Sequence, residues 1–354
     1  MEHTRIISNE KRITDPATHK HVRYEGRIVR DNDTGVVRCN WPGINFQCRF
    51  VGQYLAIELK GCGDGFDVLV DGKLAKKITT SPQGIRETFA LIEADTSTAV
   101  TIELIKRTEN YVSFCTLFAF HHDGEFEPHP KDHQPHILFI GDSMSAGYAS
   151  ESNTIECSTE EVFDTSNARL AFPYQTARRL GASLAQVSYS GMGLIRNWNG
   201  TAPHQHIPDF AFKASAIEND DTHYTEKTPN LVVIEIGTND FNTPLQAQES
   251  WQSLTEFTQA WTQRMVAFVE EIVAHYRNPN GDHDDVNILL AVPTQKLEEA
   301  ADAAIAKLHA LGRAKVYRHT FKIQGKGCAR HPIESEHASV ADHMSQFIRD
   351  YDLL

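Results

Sequence analysis

His136-Ile-Leu-Phe-Ile140 leads directly into Gly141-Asp142-Ser143-Met144-Ser145, and further along Leu231-Val-Val-Ile-Glu-Ile236 leads into Gly237-Thr238-Asn239-Asp240. Short apolar runs closed by glycine and a polar residue are what strands buried on both faces of a parallel sheet look like. Residues 286–292 make a third such run, and 314–317 a further candidate strand. Helices are predicted between them over 172–180, 253–275 and 297–311. In the second, Phe257, Trp261, Met265, Phe268 and Ile272 recur at helical spacing and form one apolar stripe for the core. Strand, loop and helix in alternation define a three-layer α/β sandwich with right-handed crossovers.

The N-terminal half reads differently. From Tyr24 to Phe120 the chain alternates short β-rich runs with turn residues, as in Tyr54-Leu-Ala-Ile-Glu-Leu59, and Asp71-Gly72 closes the run 66–70 as a hairpin turn would. Strands at this spacing with no helical pattern between them predict an all-β sandwich or jelly roll rather than a barrel. The polar stretch from His121 to Pro135 follows. It sets the expected domains at 1–121 and 136–354, with 122–135 as linker. His121, His122, His129 and His133 are read as solvated linker residues rather than metal ligands, and 282–285, around His283, as a surface loop.

The 354 residues carry 34 Lys+Arg against 47 Asp+Glu, a formal net charge of −13. Without a basic block, that balance argues against nucleic acid or an anionic membrane surface as partner. Hydrophobic residues at 40% are enough for packed cores. No apolar run approaches the ~20 residues of a membrane span. The start, MEHTRIISNEKRITD, shows no apolar signal region, so the expected location is cytoplasmic as written. The six cysteines are scattered without a C-x-x-C pair. Structural zinc is therefore not expected, and buried free thiols are favoured, with disulfide pairing left open.

In open α/β sheets ligands bind beyond the carboxyl ends of the strands, so the chemistry should follow the apolar runs. Ser143 stands at a strand exit and a helix N-terminus, where an oxyanion is favoured; the alternative is an ordinary N-cap serine. Asn239 offers a side-chain amide at the same edge, or else simply shapes a turn. Gly191, in Ser190-Gly191-Met192-Gly193, can bring its N–H close to a substrate oxygen. Three donors can then converge: the N–H groups of Ser143 and Gly191 and the side chain of Asn239. Among 18 histidines, His331 is placed best to act as base, in a late loop able to reach back over the sheet. His337 opens the final helix and is read as structural. Neither metal nor cofactor is called for.

Taken in order, these blocks resemble the SGNH (GDSL-type) hydrolases. Gly237 to Leu245, Gly327-Cys328, His331-Pro332 and His337, with Gly26-Arg27-Ile28, Trp41-Pro42-Gly43 and Val70-Asp71-Gly72 ahead of them, resemble carbohydrate esterase family 2. The resemblance implies a jelly-roll domain joined to an SGNH domain on a flavodoxin-like parallel sheet. It also implies removal of acetyl groups from sugars, at the 6-position of gluco- or manno-configured units or on acetylated hemicellulose. By position, Ser143 is the nucleophile, His331 the base, and Ser143, Gly191 and Asn239 the oxyanion hole. Such enzymes commonly carry Asp three or two residues before the histidine; here those positions hold Cys328 and Ala329. A backbone carbonyl is therefore expected to take the imidazole Nδ1–H, leaving a Ser–His dyad. Asp142 and Trp198 are candidate substrate contacts, and the implied partner is an acetylated oligo- or polysaccharide. Two other readings stay open: a carbohydrate-binding protein without turnover, and a thioesterase or lipase of the same superfamily. The family is commonly exported.

Overall fold

The computed structural model describes residues 12–128, 133–217, 219–277 and 286–354. His129 and the 282–285 loop lie outside the described residues.

Ten strands form one antiparallel sheet: β1 (Ile13–Pro16), β2 (Arg23–Glu25), β3 (Ile28–Asp31), β4 (Val36–Cys39), β5 (Asn45–Lys60), β6 (Gly65–Val70), β7 (Lys73–Thr79), β8 (Arg86–Lys106), β9 (Cys115–His122) and β10 (Glu125–Glu127). Long β5 and β8 pair along their whole length, and register shifts after Gly52 and Leu55 bend β5. Its first part pairs with β2 and β10, its second with β9. Phe46, Phe50, Leu55, Ile57 and Leu59 of β5 share one core with Phe66, Val68, Ile102 and Leu104. The β6–β7 hairpin turns at Asp71 (φ 49°) and Gly72 (φ 75°), as Asp-Gly does in a two-residue turn with both central residues left-handed.

The second sheet has five parallel strands: β11 (His136–Gly141), β12 (Ser183–Ser188), β13 (Leu231–Glu235), β14 (Asn287–Val292) and β15 (Val316–Thr320), in the order β12-β11-β13-β14-β15. This is the flavodoxin-like order, with β11 at the point where the winding reverses. Among the described residues eight α-helices accompany it: α1 (Ser143–Ala146), α2 (Thr159–Thr165), α3 (Phe172–Leu180), α4 (Ile207–Phe210), α5 (Thr238–Phe241), α6 (Leu254–Tyr276), α7 (Gln295–Ala310) and α8 (Glu334–Asp350). Strand alternation sorts the core into two layers. Leu138, Ile140, Val232 and Ile234 pack with the α6 stripe and with α7; Ile137, Phe139, Leu231 and Val233 pack with α3 and α8.

Three sequence readings need correction. Strand β12 was missed because Ser183, Gln186 and Ser188 interrupt its apolar pattern. All three are buried and partnered: Ser183 Oγ with His136 Nδ1 (2.9 Å), Gln186 Nε2 donating to the Ser145 carbonyl (2.6 Å), and Ser188 Oγ with Ser145 Oγ (2.9 Å). The polar stretch after Phe120 is not linker from its start. His121 and His122 finish β9, β10 pairs with Arg49–Val51, and buried His122 and Phe126 join the first core's edge. Finally, Cys157 and Cys328 form a disulfide, while Cys39, Cys48 and Cys115 are buried free thiols and Cys62 is a half-buried one.

The two sheets share polar contacts as well as a continuous apolar core. Arg27, fully buried, donates Nε to Glu226 Oε1 (2.7 Å), Nη1 to the carbonyls of Ala211 (2.7 Å) and Lys213 (3.2 Å), and Nη2 to the Tyr276 hydroxyl (3.1 Å). Removing one partner of a buried ion pair strands the other charge. Glu226→Ala is expected to cost about 3–5 kcal/mol of stability, read from urea unfolding curves. A loss below about 1 kcal/mol, the size of a surface pair, would contradict this account.

Candidate active site

The chain turns sharply after β11. A Cβ on Gly141 would lie 2.1 Å from Ser145 Oγ, so only glycine fits there. Asp142 then caps α1, its carboxylate accepting the Met144 N–H at 3.0 Å. Because Asp142 is the cap, the Ser143 hydroxyl is free for other work. It lies 2.8 Å from His331 Nε2, and His331 Nδ1 lies 3.0 Å from the Cys328 carbonyl oxygen. A carbonyl can only accept, so Nδ1 carries the proton, and Nε2 is left to accept from Ser143. Burial pulls the His331 pKa below its ordinary 6.5, opposed by backbone hydrogen bonds at Cys328 and Ala329. The Tyr148 ring covers the imidazole at 4.3 Å.

Ser143 is the first residue of α1, so its N–H has no intrahelical acceptor. Gly191 has φ +80°, and a Cβ there would meet open space. Glycine suits position 191 because the backbone there is left-handed. Asn239, on the short helix α5 after β13, donates Nδ2 to the Met192 carbonyl (2.7 Å) and to Asp142 Oδ2 (3.1 Å). Its amide therefore ties the loop containing Gly191 to the turn carrying Ser143.

Two carboxylates hold that loop, and sequence reasoning assigned neither a role. Asp240, nearly fully buried, accepts the N–H groups of Leu194 (2.9 Å), Ile195 (3.0 Å) and Arg196 (3.1 Å). Glu109, from the first domain just beyond β8, accepts the Ser190 N–H (2.7 Å) and hydroxyl (2.5 Å). The acid in Gly-Thr-Asn-Asp was a visible signal for Asp240. Nothing local marks Glu109, whose partner is 81 residues away.

Asp142 is wholly buried, and its oxygens are taken by Met144 and Asn239. The candidate substrate contact is thus corrected to a residue beneath the site. Burial pushes its carboxyl up to about 7. Burial, and next the charge of Asp142, pushes the carboxyl of neighbouring Glu235 well above its ordinary value. Asp240 is likewise pushed up by burial, to about 6, against the pull of its three backbone donors. Trp198 does face solvent, with 49% of its surface exposed, and its backbone N–H donates to the Gly191 carbonyl at 2.8 Å. His337 is buried on α8, accepting the Phe172 N–H through Nδ1 (3.3 Å). Among the described residues, no group of three or more His, Cys, Asp or Glu is arranged to hold a metal ion, and no helix is long and apolar enough to cross a membrane.

A doubly wound sheet with a strand-end serine hydrogen-bonded to a late-loop histidine defines a hydrolase-type α/β protein. Comparison with known proteins gives the family. The carbohydrate esterase 2 N-terminal profile matches residues 24–130, and the GDSL-like lipase/acylhydrolase profile matches 137–344. The chain belongs to the GDSL-like lipase/acylhydrolases, in the two-domain form of carbohydrate esterase family 2, and so is a serine esterase. It is 28% identical over 308 residues to an acetylxylan esterase / glucomannan deacetylase of Cellvibrio japonicus, covering 86% of this chain and 82% of that protein. It is 29% identical over 245 residues to the cellulase/esterase CelE of Acetivibrio thermocellus, covering 68% of this chain and 28% of CelE. Among solved structures, a family two carbohydrate esterase from Cellvibrio japonicus superposes with TM-score 0.81 at 22% identity, over 97% of this chain and 98% of that one. One from Clostridium thermocellum, in complex with cellohexaose, also gives 0.81, at 24% identity over 94% and 100%.

Proposed function

We propose that this protein removes acetyl groups from acetylated carbohydrate, with Ser143 as nucleophile and His331 as general base. The observation that carries the reading is the 2.8 Å contact from Ser143 Oγ to His331 Nε2, with Nδ1 held on a carbonyl. That tautomer suits proton abstraction from serine. Curated relatives described as acetylxylan esterase / glucomannan deacetylase support a sugar acetate as substrate.

In this mechanism His331 takes the hydroxyl proton as Ser143 Oγ attacks the acetyl carbonyl. The N–H groups of Ser143 and Gly191 stabilise the oxyanion, and Asn239 joins them by giving up its longer contact, to Asp142. Each such donor is worth roughly 3–4 kcal/mol of barrier. The imidazolium then hands its proton to the departing sugar oxygen. Water, deprotonated by the same base, releases acetate from the acetyl-enzyme. With no carboxylate on Nδ1, the imidazolium is supported by a neutral dipole, which orients the ring but stabilises its charge less.

Hydrolysis of p-nitrophenyl acetate and of mono-acetylated glucose, mannose and xylose tests the reading. Ser143→Ala is expected to lower kcat by about 10⁴-fold or more. Undiminished turnover would sink the assignment, and binding of oligosaccharide without turnover in wild type would favour the sugar-binding reading. Since His331 must be unprotonated and its pKa lies below 6.5, the acid limb of kcat/KM is expected to have its midpoint below pH 6.5; a midpoint above that value would contradict the buried base. Trp198, exposed beside the Gly191 loop, offers a flat face for a pyranose ring. Trp198→Ala is expected to raise KM for acetylated oligosaccharides more than for p-nitrophenyl acetate, and equal effects would remove it as a sugar platform.

A further inference from the structure

The carbonyl that orients His331 belongs to Cys328, and the backbone between them is unusual. Ala329 (φ 48°) and Arg330 (φ 62°) are consecutive non-glycine residues in the left-handed region. Such residues cost free energy and persist only where surroundings hold them. The turn they form is tight. Gly327 N–H donates to the His331 carbonyl (2.9 Å), and the Cys328 carbonyl accepts both the His331 N–H (2.9 Å) and its Nδ1–H (3.0 Å). A shift of this one carbonyl therefore loosens the ring and the turn together.

What anchors it lies outside the turn. Cys328 is buried, and its disulfide partner Cys157 is 171 residues earlier, in the segment between α1 and α2. The same segment supplies the Ile155 carbonyl, which accepts the Ala329 N–H at 2.8 Å, and Ser152 Oγ, 3.2 Å from Cys328 Sγ. The segment is itself fastened to the first domain, where Arg107 Nη2 donates to Glu151 Oε2 (2.6 Å); the same guanidinium holds α2 and the residue after it through the carbonyls of Asp164 (2.9 Å) and Ser166 (3.2 Å). The chain that carries the base is thus cross-linked to a segment that is hydrogen-bonded to the first domain.

We propose that the Cys157–Cys328 disulfide is a positioning element of the esterase site, anchoring the carbonyl that holds His331 in its proton-accepting tautomer. The proposal rests on the esterase reading above. The cross-link takes over the task of orientation that a carboxylate on Nδ1 would otherwise perform. Because it acts through the base, its loss is expected to slow chemistry rather than weaken binding.

Cys157→Ser breaks the link while leaving the Cys328 carbonyl in the chain, and the double variant Cys157→Ser/Cys328→Ser guards against stray oxidation. Well below each protein's unfolding temperature, kcat on p-nitrophenyl acetate is expected to fall by about tenfold or more, with KM within about twofold. A phosphine reductant should have the same effect on wild type, reversed by oxidised glutathione, and none on the variants. If the variants fail to fold, the reversible arm on wild type decides. A kcat within about twofold of wild type once the link is broken would overturn the proposal, since misplacement of a base costs far more. So would six alkylatable thiols, instead of the four free cysteines, in unreduced denatured wild type. Should oxidised wild type hydrolyse no acetate ester, the esterase reading fails by itself. The ring ¹⁵N shifts of His331 then test the positioning directly: a fixed Nδ1–H form in the oxidised protein and tautomer averaging in Cys157→Ser are expected, and identical shifts would overturn it.

Discussion

The hydrogen bond between Ser143 and His331 joins positions 188 residues apart, and much of the molecule's arrangement is a condition for it. Ser143 is held by the turn after β11, which requires glycine at 141 and an aspartate cap at 142. His331 hangs from a loop between β15 and α8, and β15 is three strands away from β11 in the sheet. Only a sheet wound so that both connections emerge at the carboxyl ends of the strands lets them meet. Once met, the pair is defined by polarity: a carbonyl on one ring nitrogen dictates that the other accepts.

The N-terminal domain is not a passive attachment to this arrangement. Glu109 reaches across to fasten Ser190, next to the glycine whose N–H is proposed to meet the oxyanion. Arg107 fastens the segment bearing Cys157, and Arg27 penetrates to the carbonyls of Ala211 and Lys213. These are buried or half-buried charged contacts whose rupture leaves unpaired charge, so separating the two sheets is costly. Part of the site's support therefore comes from residues before 136.

Beneath the serine the protein collects acids that burial disfavours. Asp142, Glu235 and Asp240 are all buried and their carboxyls are pushed upward. Desolvating such groups works against stability, and backbone N–H donors offset it for Asp142 and Asp240. What results is a rigid floor. Asp142 fixes Asn239 and the first turn of α1, and Asp240 fixes the backbone from Leu194 to Arg196. Polar groups crowd here because strand ends are where the local sequence stops being apolar and side chains of several loops converge.

The parallel strands β11, β13 and β14, the α6 stripe and the Asp71-Gly72 hairpin were legible because each is a local pattern, in period, length or turn chemistry. So were the strand ends near Ile140 and Ile236, after which Ser143 and Asn239 stand, since strand ends can be read from one stretch of chain. Strand β12 was not legible, because Gln186 and the two serines are acceptable inside only with partners supplied from β11 and α1. A backbone carbonyl on His331 Nδ1 was expected from the absence of Asp at 328 and 329, but Glu109 beside Ser190, Cys157 beside Cys328, and the choice of the Cys328 carbonyl were decided by tertiary structure alone. The residue types were on view, but each contact spans a fold in the chain, or depends on left-handed backbone at Ala329 and Arg330, non-glycine residues that carry no sequence mark for it. Local propensity selects elements; only their packing sets which distant polar atoms end within 3 Å of each other.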